Sequence, residues 1–495
     1  MELQFTSQPL SYLDVVLHEV QNQEQTQEIR IPDGMPDIGR VISAWAQSVV
    51  RSKEWRSGQV AMSGGVMVWV LYAPEDGSKE RWVESWIPFQ MKWDIPDSAS
   101  DGVIRIDCRP RFVDARVISA RKLMVRVGVA AMAEALCPME VQISVPGELP
   151  EDVQLLTNSY PLRLFREAGE KEFSLDEDIT LPPDCPAVDK ILSYHICPEI
   201  TEQRVSGDKV IFRGNANLHV LYRSEEEKLH ACDIPVPYSQ LAQLEHTYST
   251  EAQSDVLPCV TSMELSLEDE GNLRLKCGLV GQYRVDERQM VQLVEDAYSP
   301  SRKVALHRDE LRLPAVLETR QENLHIEQPM DHGNGSVIEM LMYCDQPQLM
   351  RSADSVAIEI PGQCCSLYYG EDGVLRSSAA RWEQSMSMDA DGGTELDVRI
   401  QGCVRPQNDA ATVMGDCHIE ITAMANKGMP VITGLSLNEM TEPDPGRPSL
   451  ILCRVGQRSL WQIAKEMGST VDTIRRANRL EGEPEHGKML LIPIE

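Results

Sequence analysis

Apolar and polar side chains alternate along much of this chain with a period of two. Ala216, Leu218 and Val220 are interleaved with Asn215, Asn217 and His219, and Leu273, Leu275 and Cys277 with Arg274 and Lys276. Val398 and Ile400 flank Arg399, and Ile419 and Ile421 flank Glu420. Successive side chains of a strand point to opposite faces, so the pattern predicts half-exposed antiparallel strands, one face buried and one wet. Glu371-Asp-Gly373 and Glu268-Asp-Glu-Gly271 read as the turns between them. Long helical periods are scarce until the last segment of the chain.

The strand pattern repeats itself. Ile29-Arg-Ile-Pro32-Asp-Gly-Met-Pro36-Asp-Ile38 recurs as Ile179-Thr-Leu-Pro182-Pro-Asp-Cys-Pro186-Ala-Val188, an offset of 150 residues. The same offset relates Val60, Gly64, Val70, Leu71 and Tyr72 to Val210, Gly214, Val220, Leu221 and Tyr222, and Leu123, Val125 and Gly128 to Leu273, Leu275 and Gly278. A third copy is more decayed: Ile326, Pro329 and Asp331 match Ile179, Pro182 and Asp184, and Val356, Leu367 and Tyr368 match Val210, Leu221 and Tyr222. Gly333 stands where the second proline of the turn would be. The expectation is a mainly β chain of three tandem β-sandwich-like repeats, at residues 1–153, 154–300 and 301–441, the third degenerate. Within them Gln154–Asp178 and Asp286–Asn323 are mostly polar and read as connectors.

Residues 442–448, Glu-Pro-Asp-Pro-Gly-Arg-Pro, form a predicted linker, because three prolines in so short a stretch forbid regular structure. The period then changes. Leu450-Ile-Leu452 predicts a strand, and Ser459 caps a helix from Leu460 to Met467 closed by Gly468. Thr470 caps a second helix, Val471 to Asn478, with Val471, Ile474 and Ala477 on one face. Met489 to Pro493 predicts a final strand. Residues 449–495 are thus expected to be a small α+β module of order βααβ that folds by itself.

Charge and composition exclude several functions. The 495 residues hold 77 acidic against 47 basic side chains, a formal net charge of −30. Phosphate neutralisation needs clustered Lys and Arg, so nucleic acid is excluded as a partner, and an anionic membrane surface likewise. The acidic excess lies before residue 449; the tail is near neutral. The N-terminus lacks a basic region followed by an apolar run, and no apolar stretch reaches spanning length, so neither secretion nor membrane insertion is expected. In a cytoplasmic chain the 13 cysteines, none spaced C-x-x-C, read as reduced thiols, with vicinal Cys364 and Cys365 on opposite faces of one strand. Cys185, His195 and Cys197 fit no zinc spacing, and no metal or other cofactor is expected. Gly482-Glu-Pro-Glu-His-Gly487-Lys488-Met489 approaches a P-loop, but Met489 cannot ligate magnesium and Glu483 and Glu485 would repel phosphate. No catalytic constellation stands out, so no enzyme is expected. Trp45, Trp55, Trp69, Trp82, Trp86 and Trp93 crowd the first repeat; most read as core, while Trp82, Trp86 and Trp93 are candidates for an exposed contact surface.

Two resemblances cover nearly the whole chain. Leu460-Trp461-x-Ile463-Ala464-Lys465, Gly468-Ser-Thr, Ile474, Asn478 and Gly487-Lys-Met-Leu490-x-Ile492-Pro493 resemble a LysM domain. That family binds N-acetylglucosamine polymers between the first strand–helix loop and the loop before the last strand. Here Gln457-Arg458-Ser459 replaces the usual Gly-Asp-Thr, which changes the charge of the groove. The Ile/Leu-Pro-x-x-x-Pro start, the Gly-x(5)-Val-Leu-Tyr strand and a Pro after a short strand (Ile87-Pro88, Ile234-Pro235) resemble the SPOCS domain. Tandem SPOCS domains with a C-terminal LysM are similar to SipL-type proteins of clostridial spore formers. The resemblance implies a scaffold in the mother-cell cytoplasm at the forespore surface, acting in spore coat assembly, whose LysM module engages a coat-morphogenetic ATPase. Binding of peptidoglycan or a GlcNAc polymer is the alternative. Gln457, Arg458, Ser459, Leu460, Trp461 and Asn478 are the candidate partner-binding residues.

Overall fold

The computed structural model describes the chain apart from residues 1, 4, 100, 148, 269–271, 333–334, 410–411, 441–447 and 495. All of the expected linker except Pro448, and the tip of the turn after Glu268, lie outside the described residues. The protein is mainly β, with two short helices near its C-terminus. It opens with a short strand β1 (Glu2–Leu3), followed by β2 (Phe5–Arg30), β3 (Ile38–Arg56), β4 (Gln59–Pro74), β5 (Arg81–Asp94), β6 (Val103–Ser119) and β7 (Lys122–Pro146). These form two antiparallel sheets, β2-β7-β6 and β3-β4-β5. The next six strands are β8 (Gln154–Ile179), β9 (Val188–Ser206), β10 (Lys209–Ser224), β11 (Leu229–Gln243), β12 (Gln253–Leu267) and β13 (Leu273–Tyr298). They pair in the same scheme, β8-β13-β12 and β9-β10-β11.

The scheme returns with breaks in β14 (Arg302–Pro329), β15 (Ser336–Cys344), β16 (Gln348–Arg351), β17 (Ser355–Tyr369), β18 (Leu375–Asp389), β19 (Thr394–Gln401), β20 (Gln407–Asp409) and β21 (Thr412–Met440). Here β15 and β16 share the place of one strand beside β17, and β19 and β20 share another beside β21. β1 also pairs with β21, Leu3 opposite Leu435, so the first strand of the chain joins the last long one. The C-terminal module consists of β22 (Leu450–Arg454), α1 (Leu460–Met467), α2 (Val471–Asn478) and β23 (Met489–Pro493), with β22 antiparallel to β23.

The repeated sequence motif has a physical cause. Tyr72 and Tyr222 are fully buried, and each hydroxyl donates to a proline carbonyl of the Pro-x-x-x-Pro turn: Tyr72 to Pro36 at 3.1 Å, Tyr222 to Pro186 at 3.0 Å. A buried phenol needs such a partner. In the third copy Tyr368 instead lies edge-on to His332, ring centroids 5.1 Å apart. Gly64 and Gly214 sit at irregularities of the pairing with β3 and β9, where a Cβ would strike the Val49 and Glu199 carbonyls. Pro88 and Pro235 do not follow short strands. They lie within β5 and β11, which are edge strands, where a missing N–H costs no ladder bond.

Of the two polar segments expected to be connectors, Gln154–Asp178 lies within β8, and Asp286–Asn323 covers the end of β13, a short turn and most of β14. β8 pairs with β13 along its length, and β14 with β21. Their polarity reflects exposed faces, while Leu162, Leu164, Leu313 and Ala315 point inward and are buried. Each long strand pair has a bulge at a matching place: Val16 opposite β7, Arg166 opposite β13 and Leu317 opposite β21. A bulge bends its strand and sharpens its twist. Beyond these bends the three long strand pairs share a core that includes Ile143, Leu162, Leu293, Leu313 and Met429.

Beside the bends lies a buried ionic cluster. Arg105 on β6 faces Glu134 on β7, Asp255 on β12 faces Arg284 on β13, and Arg399 on β19 faces Glu420 on β21. The ion pairs run between sheets as well: Arg105 with Asp255 at 2.9 Å, Arg284 with Asp397 at 2.7 Å, and Arg284 with Glu134. His18 Nε2 lies 3.0 Å from Asp397. So Arg399, read as facing water, is 4 % exposed. His219, on the supposedly wet face of β10, is likewise covered, because Glu339 of β15 packs on it at 2.9 Å. The alternation finds one buried face correctly, but the opposite face packs against a neighbouring sheet.

The tryptophans divide in the same way. Trp93 is core; Trp45 and Trp69 are equally buried, but they belong to the cluster around β9 and β10, with Trp69 5.2 Å from Tyr194. Trp82 and Trp86 are half-buried, and Arg51 covers Trp86. The cysteine expectation needs one correction. Cys197 and Cys403, 206 residues apart, form a disulfide that ties β9 to the turn after β19. That pairing also removes Cys197 from any site with Cys185 and His195. Cys364 and Cys365 are adjacent on β17, one in the core and one half-buried, and burial pushes both thiols up to about 12.

Candidate functional site

The C-terminal module is built as its sequence dictates. Ser459 caps α1 with a complete capping box: its Oγ accepts from the Gln462 N–H, and Gln462 Oε1 accepts from the Ser459 N–H at 2.9 Å. Gly468 closes the helix in the left-handed region, φ 65°, which glycine enters at no steric cost. Thr470 caps α2 by accepting from the Thr473 N–H. Leu460, Ile463, Ala464, Ile474, Leu490 and Ile492 form the module's core. Of the three residues expected on the apolar face of α2, only Ile474 is buried; Val471 is half-buried and Ala477 exposed.

The six candidate partner residues are not brought together on one exposed surface. Gln457 and Ser459 are exposed. Arg458 is half-exposed and pairs with Glu466 of α1, while its Nη2 lies 3.5 Å from Cys453 Sγ. Leu460 is buried completely, in the module core. Asn478 is a strut: its Nδ2 donates to the Ile474 and Leu491 carbonyls, and its Oδ1 accepts from the Leu491 N–H at 2.7 Å. It therefore ties α2 to the outer edge of β23. Glu483, from the P-loop-like stretch, accepts the Leu460 N–H at 2.9 Å and places a carboxylate at the positive end of α1.

Trp461 has a different task. Its indole Nε1 donates to Asp296 Oδ2 at 2.8 Å, and its ring stands edge-on to Tyr298, centroids 4.8 Å apart. Lys465 Nζ donates to both Asp296 oxygens at 2.7 Å, and Arg308 of β14 to Oδ1 at 2.6 Å. The Tyr298 hydroxyl donates to the Ser469 carbonyl at 2.9 Å. Burial would raise the Asp296 pKa, but the hydrogen bonds from Lys465, Trp461 and Arg308 outweigh it and hold the carboxyl below its usual range. Asp296 and Tyr298 at the end of β13 are thus the seat of the module. Sequence reasoning missed both. A contact across 165 residues leaves no local pattern, although the Asp-x-Tyr at a strand end, polar then aromatic, carries the chemistry.

A cavity of about 360 Å³ lies among β3, β6, β9, β10, β15 and the turn after β19, lined by Arg109, His195, Cys197, His219, Glu339 and Cys403 among others. Burial, with the charge of His219 beside it, lowers the His195 pKa to about 3. Burial would lower His219 too, but hydrogen bonds to Asp233 and Glu339 raise it to about 10. Among the described residues no three His, Cys, Asp or Glu side chains are placed to hold a metal ion, and no helix is long and apolar enough to cross a membrane.

No curated protein and no solved structure matches the chain. Residues 187–267, which run from the start of β9 to the end of β12, match the sequence profile of the family described as SipL, SPOCS domain, and this supports placing the chain among SipL-like, sporulation-related proteins.

Proposed function

We propose that this chain is a non-enzymatic scaffold of endospore coat assembly, working in the mother-cell cytoplasm at the forespore surface. Three SPOCS-like repeats, at residues 1–153, 154–300 and 301–441, form its body. A linker at 442–448 leads to a LysM-like module, residues 449–495, that engages a protein partner, a coat-morphogenetic ATPase. The observation that carries this reading is the SPOCS match at residues 187–267, in a family of non-catalytic sporulation proteins. The strands it covers have counterparts of the same pairing on either side, which favours three units over one.

The strand–helix–helix–strand order of the module favours a second reading, binding of peptidoglycan or another GlcNAc polymer. The loops speak against it. A glycan groove of this family lies between the loop before α1 and the loop before β23, and here Glu483 of the second bonds the first turn of α1. The test is a pull-down from sporulating cells with the full chain as bait, beside sedimentation with peptidoglycan. Enrichment of the coat ATPase without sedimentation is expected; sedimentation without ATPase enrichment would replace the first reading with the second.

A further inference from the structure

The sheet of the C-terminal module turns Ile451, Cys453, Leu490 and Ile492 toward the helices. Its other face carries Leu450, Leu452, Met489 and Leu491, exposed by 52, 64, 53 and 38 %. Leu452 and Leu491 are register partners, and so are Arg454 and Met489. A two-stranded sheet of five-residue strands therefore presents four large aliphatic side chains side by side. Single exposed aliphatics are ordinary; a contiguous set on so small a unit is not. The module's contacts with the body, through Trp461, Lys465 and Ser469, leave this face uncovered.

Arg454 supplies the charge. It stands on the same face, exposed, and among the described residues no carboxylate lies within ion-pair distance of it. Lys488, whose carbonyl accepts the Val455 N–H, stands exposed at the same end. The face is thus an apolar stripe that carries one cation, Arg454, with a second, Lys488, beside Met489 at the same end.

We infer that this outer face of β22 and β23 docks an amphipathic, acidic protein segment, its apolar side chains on Leu450, Leu452, Met489 and Leu491 and its carboxylates on Arg454 and Lys488. The inference rests on the reading of the module as the partner-binding unit and moves the contact from the loop at 457–461 to the sheet. A sugar ring would need aromatic faces or convergent hydrogen-bond donors, and the four aliphatic side chains offer neither. An anionic lipid surface would need a larger cluster of cations than Arg454 and Lys488 supply. Addition of a strand at β23 is closed off, since Asn478 already bonds the Leu491 N–H and carbonyl.

The test uses the full chain and a fluorescent amphipathic peptide, about 16 residues long, with Leu at helical spacing and Glu on the flanks. A version with Lys for Glu is the control. Leu452→Glu and Met489→Glu should each weaken binding of the acidic peptide by at least about tenfold, and the Lys peptide should bind the unaltered chain about tenfold more weakly than the Glu peptide. Both substituted side chains are exposed, so folding should be kept; an unchanged thermal transition verifies it. Equal binding of the two peptides, or full binding by both variants, overturns the inference. So does binding to phosphatidylglycerol vesicles that Leu452→Glu abolishes, or a concentration-dependent dimer that the same change abolishes. If Leu452→Glu loses the peptide while the unaltered chain captures no coat ATPase, the face stands and the coat reading falls. If Leu452→Glu still captures the ATPase in full, the coat reading stands and the face falls.

Discussion

Arg105 and Asp255 stand 150 residues apart, carry opposite charges, and touch: Arg105 Nη2 lies 2.9 Å from Asp255 Oδ2. That separation is the offset of the repeated sequence motif, so the two occupy matching positions of that pattern. The same holds for Glu134 and Arg284, which also pair. Charges that would repel if the repeats were identical attract because one copy reverses the sign. The ion pairs therefore favour one mutual arrangement of the repeats over alternatives.

Removing one member should be costly, because its partners stay buried without a counter-charge. Arg284 is 2 % exposed and pairs with Glu134, Asp255 and Asp397. Arg284→Leu should lower the unfolding free energy by about 3–5 kcal/mol. Arg116→Leu, which removes an exposed pair with Asp114, should change it by less than about 0.5 kcal/mol. Denaturant titration of both variants checks this; equal, small effects would show that the cluster does not hold the repeats.

The two histidines of the central cavity should give opposite pH dependences. His219 has a raised pKa, about 10, so its stabilisation is complete below the unfolded value of about 6.5 and is lost as pH rises toward 10. His195 has a lowered pKa, about 3, so its contribution is present above about 6.5 and is lost as pH falls toward 3. His219→Gln should flatten the alkaline side of the stability profile and His195→Gln the acidic side, as read from denaturation midpoints between about pH 5 and about pH 9. A profile unchanged by either substitution contradicts these assignments.

What the sequence reveals follows from the range of the interactions. The period of two finds the buried Ala216, Leu218 and Val220, and Leu273, Leu275 and Cys277, because a strand's faces are written in neighbouring residues. The caps Ser459, Gly468 and Thr470 set both helices to the residue, since capping is local chemistry. The Pro-Tyr clamp explains why Pro36 and Tyr72 recur together. Long strands such as β8 are missed because one face is polar and their buried residues face another long strand pair. Arg399 and His219 read as wet for the same reason: nothing local says that a neighbouring sheet will cover them. A register comparison would have found the cluster, since Arg105 against Asp255 and Glu134 against Arg284 reverse charge at the repeat offset.

The seat of the module makes a further prediction. Asp296→Ala removes the acceptor of the Trp461 N–H and the counter-charge of Lys465 and Arg308. Docking should weaken by about 1.5–3 kcal/mol, the range for hydrogen bonds to a charged group. Amide exchange should quicken in the module around Trp461 and Lys465 while the repeats keep their protection. Unchanged exchange there would mean that the module does not depend on this contact.

The disulfide between Cys197 and Cys403 should cross-link the second and third repeats. Cys403→Ser, or reduction, should lower stability by about 2–4 kcal/mol. The check is denaturant unfolding with and without reductant, together with thiol trapping of the protein from cells. Trapping of both thiols as free in the mature spore would contradict the bond.

The central claim is that the chain binds a protein and not a glycan. Titration calorimetry of the purified full chain against the purified coat-morphogenetic ATPase, and separately against chitin hexamer and soluble peptidoglycan fragments, tests it most directly. The account predicts saturable binding of the ATPase, lost when residues 449–495 are removed, and no heat from either glycan. Saturable binding of a glycan with none of the ATPase would contradict it.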